Sequence, residues 1–255
     1  MRNIVCLEGR TVVVTGAGQG IGRAAANLAR ELGANVVAVD LNRDTLSTYD
    51  TSDRRLMTIN GSVTDEAFAT DAVEKIIERF GAIHGLVNNA GITRPAMIEK
   101  MTVPQWQQVI DVHLTGAFYW LQATGRHMVQ RAKTGDESGG SIVNISSEAG
   151  RRGSIGQINY AAAKAGMLGL TMSAAREWSK FNIRTNSVCF GVVETPMTEV
   201  VRGDKFREGI LAQIPMGRWA QPEEVVKTVC FLLSDASSYI TGQHLGVNGG
   251  YHVAV

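Results

Sequence analysis

Residues 11–40 read TVVVTGAGQGIGRAAANLARELGANVVAVD, and this stretch decides the fold. Its two ends, TVVVT at 11–15 and NVVAVD at 35–40, are short β-branched runs, typical of strands buried on both faces of a parallel sheet. Between them an Ala- and Leu-rich run predicts a helix that ends at Gly33. The stretch therefore predicts a strand, a helix and a parallel strand, the unit from which α/β proteins are built.

The turn between the first strand and the helix carries four glycines at alternate positions, Gly16, Gly18, Gly20 and Gly22. Glycine lets the backbone turn tightly and approach a pyrophosphate, while the helix N-terminus behind it offers free N–H groups. Asp40 ends the next strand, where a carboxylate can accept hydrogen bonds from the ribose hydroxyls of an adenosine. A glycine-rich turn alone is weak evidence, but its position between strand and helix predicts a dinucleotide site. Four further residues are candidates for this site: Gln19 and Ile21 beside the glycines, and Asp40 and Leu41 at the end of the second strand.

Strands and helices continue to alternate along the rest of the chain. Further strands are predicted at LMTIN, HGLVNNAG, SIVNIS, IRTNSVC and QHLGVN, and residues 103–132 are predicted to form one long helix. We find no internal repeat and no domain linker. The prediction is an α/β fold, a single doubly wound Rossmann-type domain over residues 1–255. Its central, mostly parallel seven-stranded sheet is flanked by helices on both faces, with ligands at the carboxyl ends of the strands.

The composition of the chain limits the kinds of partner that it is expected to bind. The net charge is +1, aromatic residues are sparse and no Lys/Arg cluster occurs, which argues against nucleic acid and against an anionic membrane surface. No stretch approaches eighteen apolar residues and no leader peptide is recognisable, so we expect a cytoplasmic protein with a small-molecule substrate. The three cysteines lack metal-ligand spacing, so we expect no metal site and interpret all three as buried apolar residues.

Tyr160 and Lys164 lie four residues apart in QINYAAAKAG, which reads as helix, so their side chains share one face. An ammonium beside a phenol favours the phenolate, and is expected to lower the pKa of Tyr160 towards a value useful for proton transfer. Ser147 precedes this helix and could hold the oxygen that exchanges the proton. Taken alone, Tyr-x-x-x-Lys is more often an ordinary helix surface.

Four motifs in order make the pair more specific: T-G-x-x-x-G-x-G at 15–22, NNAG at 88–91, IVNISS at 142–147, then Tyr160 and Lys164. Together they resemble the short-chain dehydrogenase/reductase family over nearly the whole chain, and are most similar to its 3-oxoacyl-[acyl-carrier-protein] reductase-like members. The resemblance implies an NAD(P)-dependent enzyme, an alcohol dehydrogenase or ketone reductase, that interconverts a secondary alcohol and a ketone by hydride transfer.

The resemblance also implies roles for single residues. Tyr160 would be the general acid/base, Lys164 would lower its pKa and hold the nicotinamide ribose, and Ser147 would bind the substrate oxygen. The fourth catalytic position, usually Asn, is His113, for which an active-site role and a satisfied core histidine both remain open. Adenine would meet Ser62, in place of the usual Asp, and Val63. The remaining cofactor contacts implied are Asn89, Ala90, Gly91, Val193 and Thr195.

Charge favours NAD(H) over NADP(H), because a 2′-phosphate would lie against the carboxylate of Asp40, and Gln19 stands where NADPH-using relatives often carry Arg. Arg43, three residues past Asp40, is the argument against this preference, because its side chain could swing towards a 2′-phosphate. The disagreement with reductases that mostly use NADPH suggests an oxidising role or a specialised reductase.

A hydroxyacyl or 3-oxoacyl substrate, possibly a CoA or acyl-carrier thioester, is expected from the resemblance. A dehydrogenase of a sugar, steroid or cyclic alcohol is the alternative, and a non-catalytic NAD(H) sensor is a third possibility. We expect a substrate lid at about 194–215 and a homotetramer. The candidate substrate contacts are Met97, Arg151 and Gln157.

Overall fold

A parallel sheet forms the centre of the molecule. The structure, a computed structural model, describes residues 4–253, so the first three and last two residues of the predicted domain lie outside the described residues. All its neighbouring strands pair in parallel, in the order β3-β2-β1-β4-β5-β6-β7. Within residues 4–253 the strands are β1 (Thr11–Thr15), β2 (Asn35–Asp40), β3 (Leu56–Asn60), β4 (Gly85–Asn88), β5 (Gly140–Ser147), β6 (Ile183–Phe190) and β7 (His244–Val247).

The order of the strands reverses beside β1. The chain moves outward from β1 to β2 and β3, then returns to place β4 on the other side of β1. The loops that leave β1 and β4 therefore diverge and open a crevice at their carboxyl ends, which is where doubly wound proteins bind ligands. The predicted fold class is confirmed.

Helices cover both faces of the sheet. Neighbouring residues of β1 point to opposite faces, so that Val12 and Val14 pack in one core cluster with helices α1 and α10 while Val13 packs in the other with α3 and α5. The helices are α1 (Gly20–Glu31), α2 (Arg43–Ser47), α3 (Glu66–Phe80), α4 (Val103–Ile110), α5 (Gly116–Lys133), α6 (Ala149–Arg152), α7 (Ile158–Trp178), α8 (Glu199–Arg202), α9 (Asp204–Leu211) and α10 (Pro222–Leu233).

The long helix predicted over 103–132 changes its hydrogen-bond pattern halfway. At its N-terminus Thr102 and Gln105 form a capping box, which pairs backbone N–H groups that the first helical turn leaves free. Residues Asp111–Thr115 between α4 and α5 are a π-helical turn, and the Gly116 N–H bonds to the Asp111 carbonyl five residues back. π turns inside α-helices occur often at functional sites. This one contains His113.

Two expectations from composition can be compared with the structure. In the part of the chain from residue 4 to residue 253, no helix is both long and apolar enough to cross a membrane. Cys189 and Cys230 are buried as expected, but Cys6 is exposed, which corrects the interpretation that all three are core residues. Cys6 lies before β1, and its side chain stays outside the core against which its neighbours Val5 and Leu7 pack.

Candidate active site

An open cavity of about 300 Å³ lies at the carboxyl ends of β1, β4, β5 and β6. Its walls contain the predicted catalytic residues together with all but one of the predicted cofactor residues. These wall residues are Gly16, Gln19, Gly20, Ile21, Asp40, Leu41, Ser62, Val63, Asn89, Ala90, Gly91, His113, Ser147, Tyr160, Lys164, Val193 and Thr195. The topology therefore brings together residues that are up to 179 positions apart in the sequence (from Gly16 to Thr195).

The turn after β1 is built so closely against β4 that side chains are excluded. Gly16 has φ +64°, and a Cβ there would lie 2.7 Å from the Ala90 Cα. Asn89 links the loop after β4 to the turn after β1, because its Nδ2 donates to the carbonyls of Thr15 at 3.0 Å and Gly16 at 3.1 Å. The result is a bare backbone cradle at a helix N-terminus, the surface that a pyrophosphate requires. NNAG thus shapes the crevice and also lines it.

The carboxylate of Asp40 is held on both oxygens. Oδ2 accepts a hydrogen bond from the Gly18 N–H and Oδ1 accepts one from the Asn42 N–H, each at 2.8 Å. Gly18 does not line the cavity, but a Cβ at Gly18 would meet Asp40 Oδ2 and Thr45 Oγ1. The contribution of Gly18 is therefore to let Asp40 lie across the turn with its charge fixed at the cavity wall.

Lys164 is buried beneath the cavity with only 3% of its surface exposed. Its Nζ donates to the Ile145 carbonyl at 2.7 Å, the one hydrogen bond that it makes among the described residues, so two of its N–H bonds remain for a ligand. Burial lowers the pKa of Lys164 from 10.5 to about 7, and the nearby Cys189 opposes this slightly. The amine is therefore poised between its charged and neutral forms near neutral pH.

Tyr160 differs from the expectation in one respect. Burial raises the pKa of Tyr160 above its usual value of 10, and a hydrogen bond with Ser147 only partly opposes the rise. The predicted lowering by Lys164 is wrong for the protein without ligands. Lys164 has itself lost much of its charge to burial, and its Nζ lies 5.7 Å from the centre of the Tyr160 ring.

His113 faces Tyr160 from the π turn. The two rings meet edge to face with their centres 5.1 Å apart, and only 2% of the His113 surface is exposed. Its Nε2 lies 2.9 Å from the Ile92 nitrogen and 2.7 Å from the Ile92 oxygen. Burial and the charge of Lys164 hold the pKa of His113 well below its usual range, so the ring is neutral.

The three predicted substrate contacts are not brought into this cavity. Met97 is half exposed on a neighbouring loop, and Gln157 accepts a hydrogen bond from the Ser154 hydroxyl through its Oε1. Arg151 bonds to the buried carboxylate of Glu148 at 3.4 Å and to the His244 carbonyl at 3.3 Å. A buried carboxylate needs a cation, which is why Arg151 turns towards the interior and away from a ligand.

Several wall residues were not among the predicted contacts. Five of the ten lie in the last three residues of a strand or directly after it, so the rule that ligands lie at carboxyl ends could have found them: Gly61, Ile145, Ser146, Phe190 and Gly191. The other five, which lie away from the strand ends, are Ile92, Val112, Pro196, Met197 and Thr198. Phe190 is the C-terminal residue of β6 and pairs in register with Ser147.

Comparisons with known proteins identify the family of the chain. A family profile described as "Enoyl-(Acyl carrier protein) reductase" matches residues 16–252. The chain is 42% identical over 251 residues to the 3-oxoacyl-[acyl-carrier-protein] reductase FabG of Thermotoga maritima, covering 96% of this chain and 98% of the relative. It is 40% identical over 247 residues to the acetoacetyl-CoA reductase of Synechocystis, covering 96% of this chain and 98% of that relative.

Solved structures give the same answer for the fold. A short-chain dehydrogenase/reductase of Brucella melitensis, titled glucose/ribitol dehydrogenase, superimposes with a TM-score of 0.89 at 33% identity, covering 97% of this chain and 98% of that one. Levodione reductase superimposes with a TM-score of 0.88 at 32% identity, covering 96% and 98%. The chain therefore belongs to the short-chain dehydrogenase/reductase family and is an oxidoreductase of the type that uses a nicotinamide cofactor.

Proposed function

We propose that this protein is an NAD(H)-dependent oxidoreductase that interconverts a secondary alcohol and a ketone on a hydroxyacyl or 3-oxoacyl-type substrate. The observation that carries the proposal is the meeting of Ser147, Tyr160 and Lys164 in one cavity with the glycine turn and Asp40. A non-catalytic sensor would not need a buried lysine beside a half-buried phenol, since burying an amine costs stability.

The walls fit a dinucleotide. The bare backbone at Gly16 can receive the pyrophosphate, Asp40 can accept hydrogen bonds from the adenosine ribose, and Lys164 keeps N–H bonds for the nicotinamide ribose. When bound, the cofactor supplies or accepts the hydride. Val193 and Thr195 line the same cavity and would hold the carboxamide.

Proton transfer falls to the chain's own groups. Tyr160 donates its phenolic proton to the substrate oxygen in reduction and recovers one in oxidation, while the Ser147 hydroxyl holds that oxygen. The raised pKa of Tyr160 keeps the phenol protonated before a ligand arrives, which suits the acid required for reduction. We assign His113 the position usually held by Asn, where its neutral ring supports Tyr160 edge to face.

Asp40 supports the preference for NAD(H). Backbone N–H groups hold both of its oxygens, so the carboxylate cannot swing away from a 2′-phosphate without losing two hydrogen bonds. Two unit charges at about 6 Å repel each other by a few kcal/mol at an effective dielectric constant of about 20. Arg43, the residue that could bind a 2′-phosphate, is exposed on α2.

Apolar walls and the relatives support the substrate class. Ile92, Phe190 and Met197 line the cavity and offer an apolar surface to an acyl chain. We propose that residues 194–215, which include α8 and α9, form a lid whose first residues, from Thr195 to Thr198, already line the cavity. The alternative is a sugar, steroid or cyclic alcohol, and the observation that favours it is the similarity to levodione reductase and to the glucose/ribitol dehydrogenase at 32–33% identity.

A homotetramer is also proposed. Helices α5 and α7 share an exposed groove lined by apolar and small residues, which would suit helices of another copy; Leu114, Phe118, Gly166, Gly169 and Leu170 form most of it. Light scattering tests this, and a monomer would contradict it.

The proposed function is tested by following NADH and NADPH absorbance with a panel of ketones: acetoacetyl-CoA, a longer 3-oxoacyl thioester, a cyclic diketone and a ketohexose. We expect the thioesters to be reduced and NADH to have the higher kcat/KM. Asp40→Ala should lower the NADH/NADPH ratio of kcat/KM by about tenfold or more. Asp44→Ala, four residues further along on exposed α2, is the matched control and should leave the ratio unchanged.

An unchanged ratio in Asp40→Ala would remove the argument for NAD(H). Reduction of the cyclic ketone alone would favour the alternative substrate class, and cofactor binding without turnover on any ketone would favour the sensor.

A further inference from the structure

A second, much smaller cavity borders His113. It has a volume of about 10 Å³ and lies between the end of β4 and the π turn. Its walls include Thr15, Asn88, Ala90, His113 and Gly116. Ala90 and His113 also belong to the wall of the large cavity, so the two spaces are neighbours.

Two polar atoms in this wall have no hydrogen-bond partner among residues 4–253, namely Asn88 Oδ1 and His113 Nδ1. Both residues are almost completely buried, with 3% and 2% of their surfaces exposed. Thr15 cannot serve either atom, because its hydroxyl already accepts from the Asn89 and Ala90 N–H groups and donates to the Val87 carbonyl. Buried polar groups in folded proteins are nearly always paired, so these two atoms call for a ligand.

The orientation of Asn88 is fixed from its other side. Its Nδ2 donates to Asn144 Oδ1 at 2.9 Å, and Asn144 Nδ2 donates to Thr171 Oγ1 at 2.9 Å. Thr171 in turn donates to the Met167 carbonyl at 2.8 Å. Each amide in this chain must use its N–H as donor, so Asn88 must present its oxygen, and not its nitrogen, to the cavity beside His113.

We propose that one water molecule binds in this cavity and bridges Asn88 Oδ1 to His113 Nδ1, and that Asn88 acts through it as a positioning residue for His113. The volume is that of about one water, which needs roughly 10–15 Å³ by this measure and two to four polar partners. A second side chain cannot take its place, because the remaining wall residues named above bring no free polar group.

Water also suits the chemistry of both partners. The Asn88 carbonyl can only accept, so the water donates one hydrogen to it and keeps a hydrogen and its lone pairs for the imidazole. It can therefore accept from Nδ1–H or donate to a bare Nδ1, while Nε2 bonds to the Ile92 backbone in either tautomer. Both ring nitrogens are then satisfied, and the edge that contacts Tyr160 is held in place.

The water site does not depend on the proposed function, but its expected effect on turnover rests on that function. A crystal structure at a resolution that shows ordered waters tests the site directly in the wild-type protein. We expect one density peak about 2.7–3.2 Å from both Asn88 Oδ1 and His113 Nδ1. An empty cavity, or an Asn88 amide bonded directly to His113, would overturn the proposal.

The positioning role is tested with two isosteric variants. Asn88→Leu removes the acceptor of the water, while Thr171→Val removes only the far end of the polar chain and leaves Asn88 Nδ2 its hydrogen bonds to Asn144 Oδ1 and to the Ala117 carbonyl, which keep its oxygen turned towards the water. We expect the imidazole ¹⁵N resonances of His113 to shift in Asn88→Leu only, and kcat to fall roughly tenfold with the KM for NADH nearly unchanged. Equal His113 resonances and equal kcat in the two variants would overturn it. A wild-type protein that holds the water but reduces no ketone would refute the proposed function and support this site.

Discussion

Lys164 and Tyr160 lie one helical turn apart on α7, and the Lys164 Nζ is 5.7 Å from the centre of the Tyr160 ring while it donates to the Ile145 carbonyl. The amine is thus beside the phenol and not bonded to it. Burial raises the pKa of Tyr160 and lowers that of Lys164 to about 7, so around neutral pH the free protein holds Tyr160 as the phenol and Lys164 as a mixture of ammonium and amine.

The first prediction concerns the charge of Lys164. Its pKa of about 7 lies below the usual 10.5, so the folded protein binds fewer protons than the unfolded chain between these values. Lys164 therefore makes the protein less stable as the pH falls from about 10.5 to 7. In protein labelled with ¹³C at lysine Cε, one resonance should titrate near pH 7. It should be missing from Lys164→Met and present in Lys180→Met. Titration of all resonances near pH 10 would contradict the burial argument.

The second prediction concerns acid stability at the other end of the sheet. His84 Nδ1 accepts from the Thr11 N–H at 3.1 Å, which requires a neutral ring, and burial lowers the pKa of His84 from 6.5 to about 4. The unfolded chain therefore binds a proton that the folded protein does not between pH 6.5 and 4, and stability is lost as the pH falls through this range. His127 adds to the effect, because its Nε2 accepts from the Ile83 N–H and burial lowers its pKa as well.

The measurement is Tm between pH 7 and 4.5. In His84→Gln an amide oxygen can replace the acceptor without titrating, so the fall in Tm should be smaller than in the wild type. His252→Gln is the control and should follow the wild type. A His84→Gln curve parallel to that of the wild type would show that His84 does not carry the acid sensitivity.

The third prediction separates the cofactor cradle from the catalytic wall with two glycines. A Cβ at Gly91 would meet His113 Cε1, whereas a Cβ at Gly16 would lie 2.7 Å from the Ala90 Cα at a φ of +64°. Gly91→Ala should displace the His113 ring and lower kcat by roughly tenfold or more with little change in NADH affinity. Gly16→Ala should weaken NADH binding by roughly tenfold or more, because the cradle must open. Equal effects on Kd and kcat in both variants would argue against this division of roles.

Much of the site could be predicted because it follows from chain order and strand geometry. In a doubly wound parallel sheet the carboxyl ends of the strands lie at one edge, so Gly16, Asp40, Asn89 and Ser147 are expected on the same side of the sheet once their strands are recognised. The spacing of Tyr160 and Lys164 places both on one helix face whatever the rest of the protein does.

The features that were not predicted depend on tertiary burial. The pKa of Tyr160 rises because neighbours exclude water, and no local pattern reports that exclusion. Arg151 turns inward because Glu148, which follows Ser147, is buried and needs a cation. The π turn at His113 likewise arises where the helix passes the close-packed ends of β1 and β4, while the sequence shows an uninterrupted helical pattern.

The central claim is that Tyr160 carries the proton in a hydride-transfer reaction, and Tyr160→Phe tests it most directly. The measurement is kcat with the best ketone of the panel, together with the Kd for NADH from fluorescence titration of the same preparation. We predict that kcat falls by about 10²–10⁴-fold while the Kd for NADH stays within about threefold of the wild type. A variant that still turns over at the wild-type rate would contradict the account.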